Sequence, residues 1–395
     1  MKYYINKIDA AGKIAADDTI LVKGVPATAG SRMLENFVPL FSAEAVERLE
    51  KAGYAVSGKT NVGEFGLDLL GETSYFAEGS DENLAGAAAA LVAGGEIKAA
   101  LNVDLNGTPR RAAAVSGVDF IKPTYGTVSR YGVIACACSG EQIGVTAADA
   151  EAIKEILTVI AGHDSKDGTS LPAEKYEYSL DKAVKGMRVA VIKELVESAD
   201  EEVRANVAAY AEALKAMGAE VEEVSFDLIK QAQTAWQILM SAETTNNLSR
   251  FDGVKYGHRA AEYKNIDELY VKSRTEAFGF LTKATIIYGS DVLAKGKYES
   301  CYDKSMRIRR IICEKAKELL SKYDAILTPV CSQAQYKSYD LSEAFKKVFA
   351  ESIFTVIPSI TGMPAMVTKG IQLIADAYQE STLMSIAHSV EKREA

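Results

Sequence analysis

The sequence predicts an α/β fold in which a β-sheet is covered by helices. Two observations lead to this class. Apolar strand segments alternate with segments of helical periodicity in both halves of the chain, and such a sheet buries its faces under helices. The chain of 395 residues is also long enough to enclose a large core. Residues 165–180 and 226–235 are polar connectors without the composition of domain linkers, so we expect one domain over residues 1–395.

The N-terminal alternation consists of a strand, a helix and a second strand. Residues 13–22 form the first strand, which ends at a glycine–proline turn. Residues 43–52 have helical periodicity and stop at Gly53. Residues 54–58 then form a buried strand.

The middle of the chain follows the same alternation. An apolar strand over residues 187–192 precedes an amphipathic helix over residues 200–217, which has acidic residues in its first turn, as the helix dipole favours. Another strand covers residues 221–224. Residues 236–322 are mostly helical, and a strand over residues 323–329 follows them.

Composition excludes several classes of function. The net charge of −9 argues against a broad phosphate-binding surface, because nucleic-acid-binding proteins usually carry a basic patch. No apolar run is long enough to span a bilayer and the first residues lack a signal-peptide core, so we expect a cytoplasmic protein. The five cysteines lack a disulfide or zinc framework, and Cys136 and Cys138 are interpreted as part of an apolar strand. We expect no metal and no cofactor.

Residues 84–126 contain the candidate chemistry. A helix of small residues over positions 86–94 leads through an apolar strand to the turn Asn106-Gly107, and Thr108 follows directly. Runs of Ala and Gly allow backbones to approach closely. A turn with a hydroxyl group at its tip is where acyl-transfer enzymes place a nucleophile.

Three motifs in this stretch resemble those of the amidase-signature family. The family carries Gly-Gly-Ser-Ser-Gly-Gly-Ser, then Asp-Thr-Gly-Gly-Ser-Ile-Arg, then Lys-Pro-Thr-Tyr-Gly, and this sequence keeps the frame of all three. Further matching runs at residues 59–61, 250–257 and 353–355 extend the resemblance over nearly the whole chain, and it is closest to the amidotransferase branch. The resemblance implies the amidase-signature fold, an α/β fold in which a large, twisted, mixed β-sheet is flanked by helices on both sides. It also implies that the family's N-terminal helical segment is shortened or absent.

The resemblance also implies where the catalytic residues should be, and all three positions are replaced. In the family, a serine attacks an amide carbonyl, and its proton passes through a second serine to a neutral lysine. The nucleophile position falls on Thr108, the relay serine on Leu84 and the lysine on Asp17. Leu84 cannot pass a proton, because it has no hydroxyl group. Thr108 keeps an attacking oxygen, but its β-branch restricts the side chain.

Two neighbouring sets of residues complete the predicted site. Asn106 and Gly107 can adopt the positive φ that part of an oxyanion hole requires. The amidotransferase branch binds the amino-acid head of glutamine with an arginine and an aspartate, and the resemblance places Thr285 and Ser352 there. Because a zwitterion needs opposite charges around it, both substitutions weaken such a pocket. Tyr75, Asp104 and Arg110 are nearby groups that a remodelled pocket could recruit.

These replacements favour a catalytically degenerate member of the family that acts by binding. Its partner would resemble the B- or C-type subunits of amidotransferases, or would be a second copy of the chain or a small-molecule ligand, with tRNA contacted only indirectly. Two alternatives stay open. The first is an active amidohydrolase that uses Thr108 with a non-standard base. The second is an A-type subunit that works inside a tRNA-dependent amidotransferase.

Overall fold

The structure is a computed structural model that describes residues 3–9, 11, 13–69, 73–77, 86–335 and 339–394. Its strands are β1 (Tyr4–Lys7), β2 (Ile14–Asp17), β3 (Val56–Thr60), β4 (Ala99–Asp104), β5 (Asp119–Lys122), β6 (Gln142–Ala147), β7 (Arg188–Ile192), β8 (Glu220–Val224), β9 (Ala325–Pro329), β10 (Ala365–Thr368) and β11 (Ile371–Ile374). Its α-helices are α1 (Glu44–Lys51), α2 (Ala87–Ala93), α3 (Thr108–Ser116), α4 (Ala150–Ile160), α5 (Lys193–Ser198), α6 (Glu201–Ala216), α7 (Ile229–Leu248), α8 (Ile266–Ala277), α9 (Phe280–Val292), α10 (Lys304–Leu320), α11 (Ala344–Glu351), α12 (Val356–Thr361) and α13 (Glu380–Glu394).

All these strands belong to one sheet of the order β1-β3-β2-β4-β6-β5-β10-β11-β9-β7-β8. Strand β2 is parallel to β3 and β4, and β7 is parallel to β8 and β9. The other pairs are antiparallel. The predicted mixed sheet is therefore confirmed.

Helices cover both faces of the sheet, because successive strand residues point to opposite sides. In β7, Val189 and Val191 join a core formed with α1, α4, α6 and α13, whereas Ala190 and Ile192 join a core formed with α7, α9, α10 and α12. Helices α2 and α3 cover a third core, over the strands around β4 and β5. The flanking helices of the predicted α/β class are confirmed on each face.

Three predictions about local structure are wrong. The first strand ends at Asp17 and not at residue 22, because the Asp17 carboxylate accepts the backbone N–H of Thr19 and turns the chain. Residues 226–235 are not a connector, since α7 begins at Ile229 and buries its apolar face. Cys136 and Cys138 lie in an irregular segment before β6 and not in a strand.

Strand β8 forms one edge of the sheet and is largely exposed. It carries Glu220, Glu222 and Glu223 in five residues. Arg188 of the neighbouring strand lies 3.7 Å from Glu220 and 3.4 Å from Glu222, while the Tyr323 hydroxyl donates to Glu222 at 2.5 Å. The edge is therefore acidic along its length and only partly neutralised.

Glu64 joins three separate parts of the chain in the interior. Its Oε2 accepts the backbone N–H of Gly279 at 2.8 Å and the hydroxyl of Thr282 at 2.5 Å, and its Oε1 accepts the hydroxyl of Ser31 at 2.5 Å. Gly279 is the N-cap of α9 and has no side chain of its own to satisfy the first helical N–H groups. Burial raises the pKa of Glu64 to about 7, although these hydrogen bonds lower it.

We predict that Glu64→Gln changes how stability depends on pH. The folded pKa of about 7 lies above the unfolded value of 4.5, so the wild type loses stability as pH rises through this window. Glutamine does not titrate and still accepts from Gly279. The variant should therefore gain up to about 3 kcal/mol in unfolding free energy relative to wild type between pH 4.5 and 8. Urea unfolding at several pH values measures this, and the exposed control Glu50→Gln should follow wild type. Parallel curves for wild type and Glu64→Gln would contradict it.

Candidate functional site

The structure brings two of the three predicted catalytic positions to one cavity. Asp17 at the end of β2 and Thr108 at the start of α3 both line it, together with Thr19, Asn102 and Glu141 and an apolar wall. Its volume is about 20 Å³. A cavity needs roughly 10–15 Å³ to hold one water molecule, so this volume corresponds to about one water. We name it the threonine cavity. The third position, Leu84, lies outside the described residues.

Asp17 is buried, and both oxygens of its carboxylate accept hydrogen bonds. Oδ1 accepts the backbone N–H of Thr19 at 2.9 Å and its hydroxyl at 2.5 Å, and Oδ2 accepts the backbone N–H of Val103 at 2.6 Å. Burial raises the pKa of Asp17, while these bonds and the nearby Lys59 lower it. Because the Val103 bond ties the end of β2 to β4, the carboxylate holds the sheet together at this edge of the cavity.

Thr108 is half-buried, and its hydroxyl donates to the backbone carbonyl of Asp68 at 2.5 Å. A carbonyl oxygen stabilises the hydroxyl but does not take its proton, whereas nucleophilic catalysis needs an adjacent base. Among the described residues, no carboxylate, amine or imidazole forms a hydrogen bond with the Thr108 hydroxyl. The geometry therefore describes a hydroxyl that anchors a loop.

The glycine turn before Thr108 is held in place from two sides. Thr355 donates its hydroxyl to the carbonyl of Asn106 at 2.7 Å, and the indole N–H of Trp236 donates to Asn106 Oδ1 at 3.0 Å. Gly107 has φ +100°, and a Cβ there would lie 2.5 Å from the Thr355 side chain. Only glycine fits this position.

The predicted oxyanion-hole donors are only partly in place. Gly107 adopts the expected positive φ, but Asn106 does not, so that expectation is wrong for Asn106. The Gly107 N–H donates to Asp104 Oδ1 at 2.9 Å and is therefore occupied. The side-chain nitrogen of Asn106 is buried and has no hydrogen-bond acceptor among the described residues. Gly107 therefore has the backbone conformation of an oxyanion-hole turn, but its N–H group is used in a hydrogen bond within the protein.

Asp104 and Arg110 form a fully buried ion pair instead of a substrate contact. Arg110 Nε and Nη2 donate to the two carboxylate oxygens at 2.6 and 3.1 Å. The remaining donors reach the Thr355 carbonyl, the Gln372 side chain and the Ser359 hydroxyl, each at 2.8 Å. All five guanidinium N–H groups are thus used. Arg110 therefore has no donor left for a ligand.

The other predicted pocket residues do not meet at the threonine cavity. Thr285 and Ser352 are buried, and their hydroxyls donate to backbone carbonyls of their own segments, at Leu281 and Phe349. Tyr75 is 45% exposed and stacks edge-on against Phe76. None of the three lines the threonine cavity. These positions therefore supply no charge for the head group of an amino acid.

Two buried lysines were missed by sequence reasoning. Burial lowers the pKa of Lys122 to about 7, although Asp104 raises it, and its Nζ donates to the Pro123 carbonyl at 3.1 Å. Lys59 Nζ donates to the Ile20 carbonyl and lies 3.8 Å from Asp18 Oδ1. The sequence did contain a sign of them, because each lysine belongs to a segment that forms a buried strand. Neither amine has a hydroxyl partner among the described residues, so no lysine–hydroxyl relay is formed there.

The described part of the chain has neither a membrane-spanning helix nor a metal-binding cluster. Its helices are all too short or too polar to cross a bilayer. Within the same residues, no cluster of three or more His, Cys, Asp or Glu side chains could hold a metal ion.

Comparison with known proteins places these observations in context. A family model described as Amidase matches residues 14–384. The A-type subunit of glutamyl-tRNA(Gln) amidotransferase from Agathobacter rectalis is 37% identical over 402 residues, which cover 96% of this chain and 80% of that protein. The crystal structure of its counterpart from Thermotoga maritima aligns with a TM-score of 0.79 at 27% identity, covering 99% of this chain and 87% of that one. A peptide amidase from Stenotrophomonas maltophilia, at 22% identity and a TM-score of 0.76 over 96% of this chain and 82% of its own, shares the fold.

We predict that Asp17→Asn destabilises the protein. The amide keeps one acceptor oxygen but turns an N–H toward the backbone N–H of Val103, which is then unsatisfied. The expected loss in unfolding free energy is about 1–3 kcal/mol, measured by urea denaturation. Asp303→Asn, in an ion pair on the exposed surface, should stay within about 0.5 kcal/mol of wild type. An Asp17→Asn variant as stable as wild type would show that the link between β2 and β4 does not depend on the carboxylate.

Proposed function

Because the chain belongs to the amidase-signature family, we propose that it is an A-type subunit of an amidotransferase-like assembly and serves this assembly by binding. One observation carries the assignment: the similarity to A-type subunits at 37% identity extends over 96% of the chain. An alignment of this extent spans surface positions as well as the core. We infer partners that resemble the B- and C-type subunits of amidotransferases, and contact with tRNA only through them.

The second part of the proposal is that the chain's own hydrolytic centre is inactive. Thr108 donates its hydroxyl to a carbonyl, and Asp17, at the lysine position, is held by three donors. The cavity between them accommodates about one water. In a comparable catalytic triad, losing one member leaves only about 10³–10⁴-fold acceleration over water. Here three members are replaced.

An active amidohydrolase is the competing function, and one observation favours it. Asp17 and Thr108 line the same cavity, so a carboxylate and a hydroxyl face a common space. For catalysis, Asp17 would have to give up hydrogen bonds to Val103 or Thr19, and Thr108 would have to leave the Asp68 carbonyl. Both changes disrupt contacts between strands and loops, and this cost weighs against hydrolysis.

We predict that the purified chain does not hydrolyse glutamine or a chromogenic anilide at a rate above that of Thr108→Ala. Ammonia or aniline release measures this, with an active amidase as the positive control. A fluorophosphonate probe should leave Thr108 unlabelled in intact-mass spectra of wild type. Time-dependent labelling that Thr108→Ala abolishes would overturn the inactive centre and establish Thr108 as a nucleophile.

We predict that the chain, co-expressed with B- and C-type subunits from the same cell, co-purifies with them in a defined ratio. Affinity purification followed by size-exclusion chromatography with light scattering gives that ratio. If the chain elutes without them, the A-type assignment fails. If the assembly releases ammonia from glutamine and Thr108→Ala abolishes this activity, the A-type assignment stands and the inactive centre is wrong.

A further inference from the structure

A second and much larger cavity opens on the face formed by residues 33–37, 133–135 and 250–259. Its volume is about 950 Å³, in the range of small-molecule sites, which run from roughly 300 to 1,000 Å³. Neither Asp17 nor Thr108 lines it, and Ile134 contributes to the walls of both cavities. We name it the basic cavity. Because of its size, and because its lining residues differ from those of the threonine cavity apart from Ile134, it is a candidate binding site independent of the amide chemistry.

The basic cavity carries positive charge that the protein leaves largely unpaired. Lys255 makes no ion pair with the described residues, and the guanidinium of Arg259 donates to the neutral Tyr263 hydroxyl at 2.6 Å. Arg250 donates to the carbonyl and side-chain oxygen of Asn247, which are also neutral. In a chain of net charge −9, three cations without carboxylate partners among the described residues form a local attraction for anions at this cavity.

The lining of the basic cavity also contains one carboxylate and a mainly apolar wall. Glu35 is the lining carboxylate, and it lies 3.4 Å from His258 Nδ1, whose Nε2 lies 2.9 Å from Glu276. The rest of the wall is mainly apolar, and it includes Leu21, Met33, Leu34, Phe37, Val133 and Phe251. The cavity therefore offers cations for a charged head and apolar surface for a hydrophobic body.

The loop that supplies the cations is fixed before any ligand arrives. Asp252 Oδ1 accepts the N–H groups of Val254 and Lys255 at 2.8 and 3.0 Å, which closes an Asx turn. Arg274 donates to the carbonyls of Leu248 and Phe251 at 2.9 and 2.8 Å. Because the loop is already ordered in the free protein, ligand binding does not have to order it. Less conformational entropy is then lost on binding, and the ligand binds more tightly.

A close approach between two backbones joins this loop to the opposite wall. The His258 N–H donates to the Met33 carbonyl at 2.8 Å. Gly257 has φ +86°, and a Cβ there would lie 2.4 Å from the Met33 sulfur. The floor of the cavity thus requires glycine at this position.

We propose that the basic cavity binds a small amphipathic organic anion, with its carboxylate or phosphate head on Arg250, Lys255 and Arg259 and its apolar body against the Met33–Phe37 wall. Arginine forks and a lysine ammonium recognise both head groups. This site lies beyond the proposed role in an assembly and does not depend on it.

The test is isothermal titration calorimetry of the full chain with octanoate, octyl phosphate, octanol and octyltrimethylammonium below their micelle concentrations. Octanoate or octyl phosphate should bind with one-to-one stoichiometry, at least tenfold more tightly than octyltrimethylammonium, and more weakly as salt is added. A tighter fit for one of the two anions assigns the head group as carboxylate or phosphate. Equal affinity for the anions and the cation would overturn the proposal.

Matched variants locate the binding. Lys255→Gln and Arg259→Gln change exposed side chains, and each should weaken anion binding about tenfold while leaving the thermal unfolding midpoint unchanged. Arg307→Gln, an exposed cation on α10, is the control and should bind as wild type does. Binding that is insensitive to Lys255→Gln and Arg259→Gln, or equally sensitive to Arg307→Gln, would place the anion elsewhere and refute the site.

Discussion

The buried pair of Asp104 and Arg110 is the interaction on which the centre of this molecule depends. It joins the end of β4 to α3, and its remaining donors reach α12, β11 and the segment before α12. Breaking such a pair would leave an uncompensated charge in the interior, which costs about 3–5 kcal/mol. Asp104 also accepts the Gly107 N–H and so sets the turn that presents Thr108. The shape of the site is therefore a by-product of a stability requirement.

This dependence explains why the glycine turn before Thr108 keeps its shape without a bound substrate. Thr355 and Trp236 hold the glycine turn through hydrogen bonds that serve the core whether or not a substrate binds. Thr108 and Asp17 each hold a neighbouring segment, and the cavity that they line has a volume of about 20 Å³. The hydrogen-bond partners of Thr108 and Asp17 are therefore better evidence about activity than the family motifs around them.

Much of the fold could be predicted from local sequence, whereas the site could not. Helix α6 begins at its Asp200 cap and ends before Gly218, as its pattern predicted, because caps and periodicity are local signals. Thr108 is 40 residues from its acceptor, Asp68, and Asp17 is 86 residues from Val103. No pattern of spacing reveals such partners. The sequence indicated which positions were candidates for the site, and only the fold could show what their side chains contact.

The acidic edge strand has a consequence for assembly. An exposed outer strand offers free backbone groups to any extended chain, and charged side chains there discourage such addition. In β8 the glutamates would repel a second copy of the same strand laid alongside. Growth of the sheet across molecules at this edge is therefore unfavourable near neutral pH, and protonation of these side chains in acid would remove the barrier to fibre-like association.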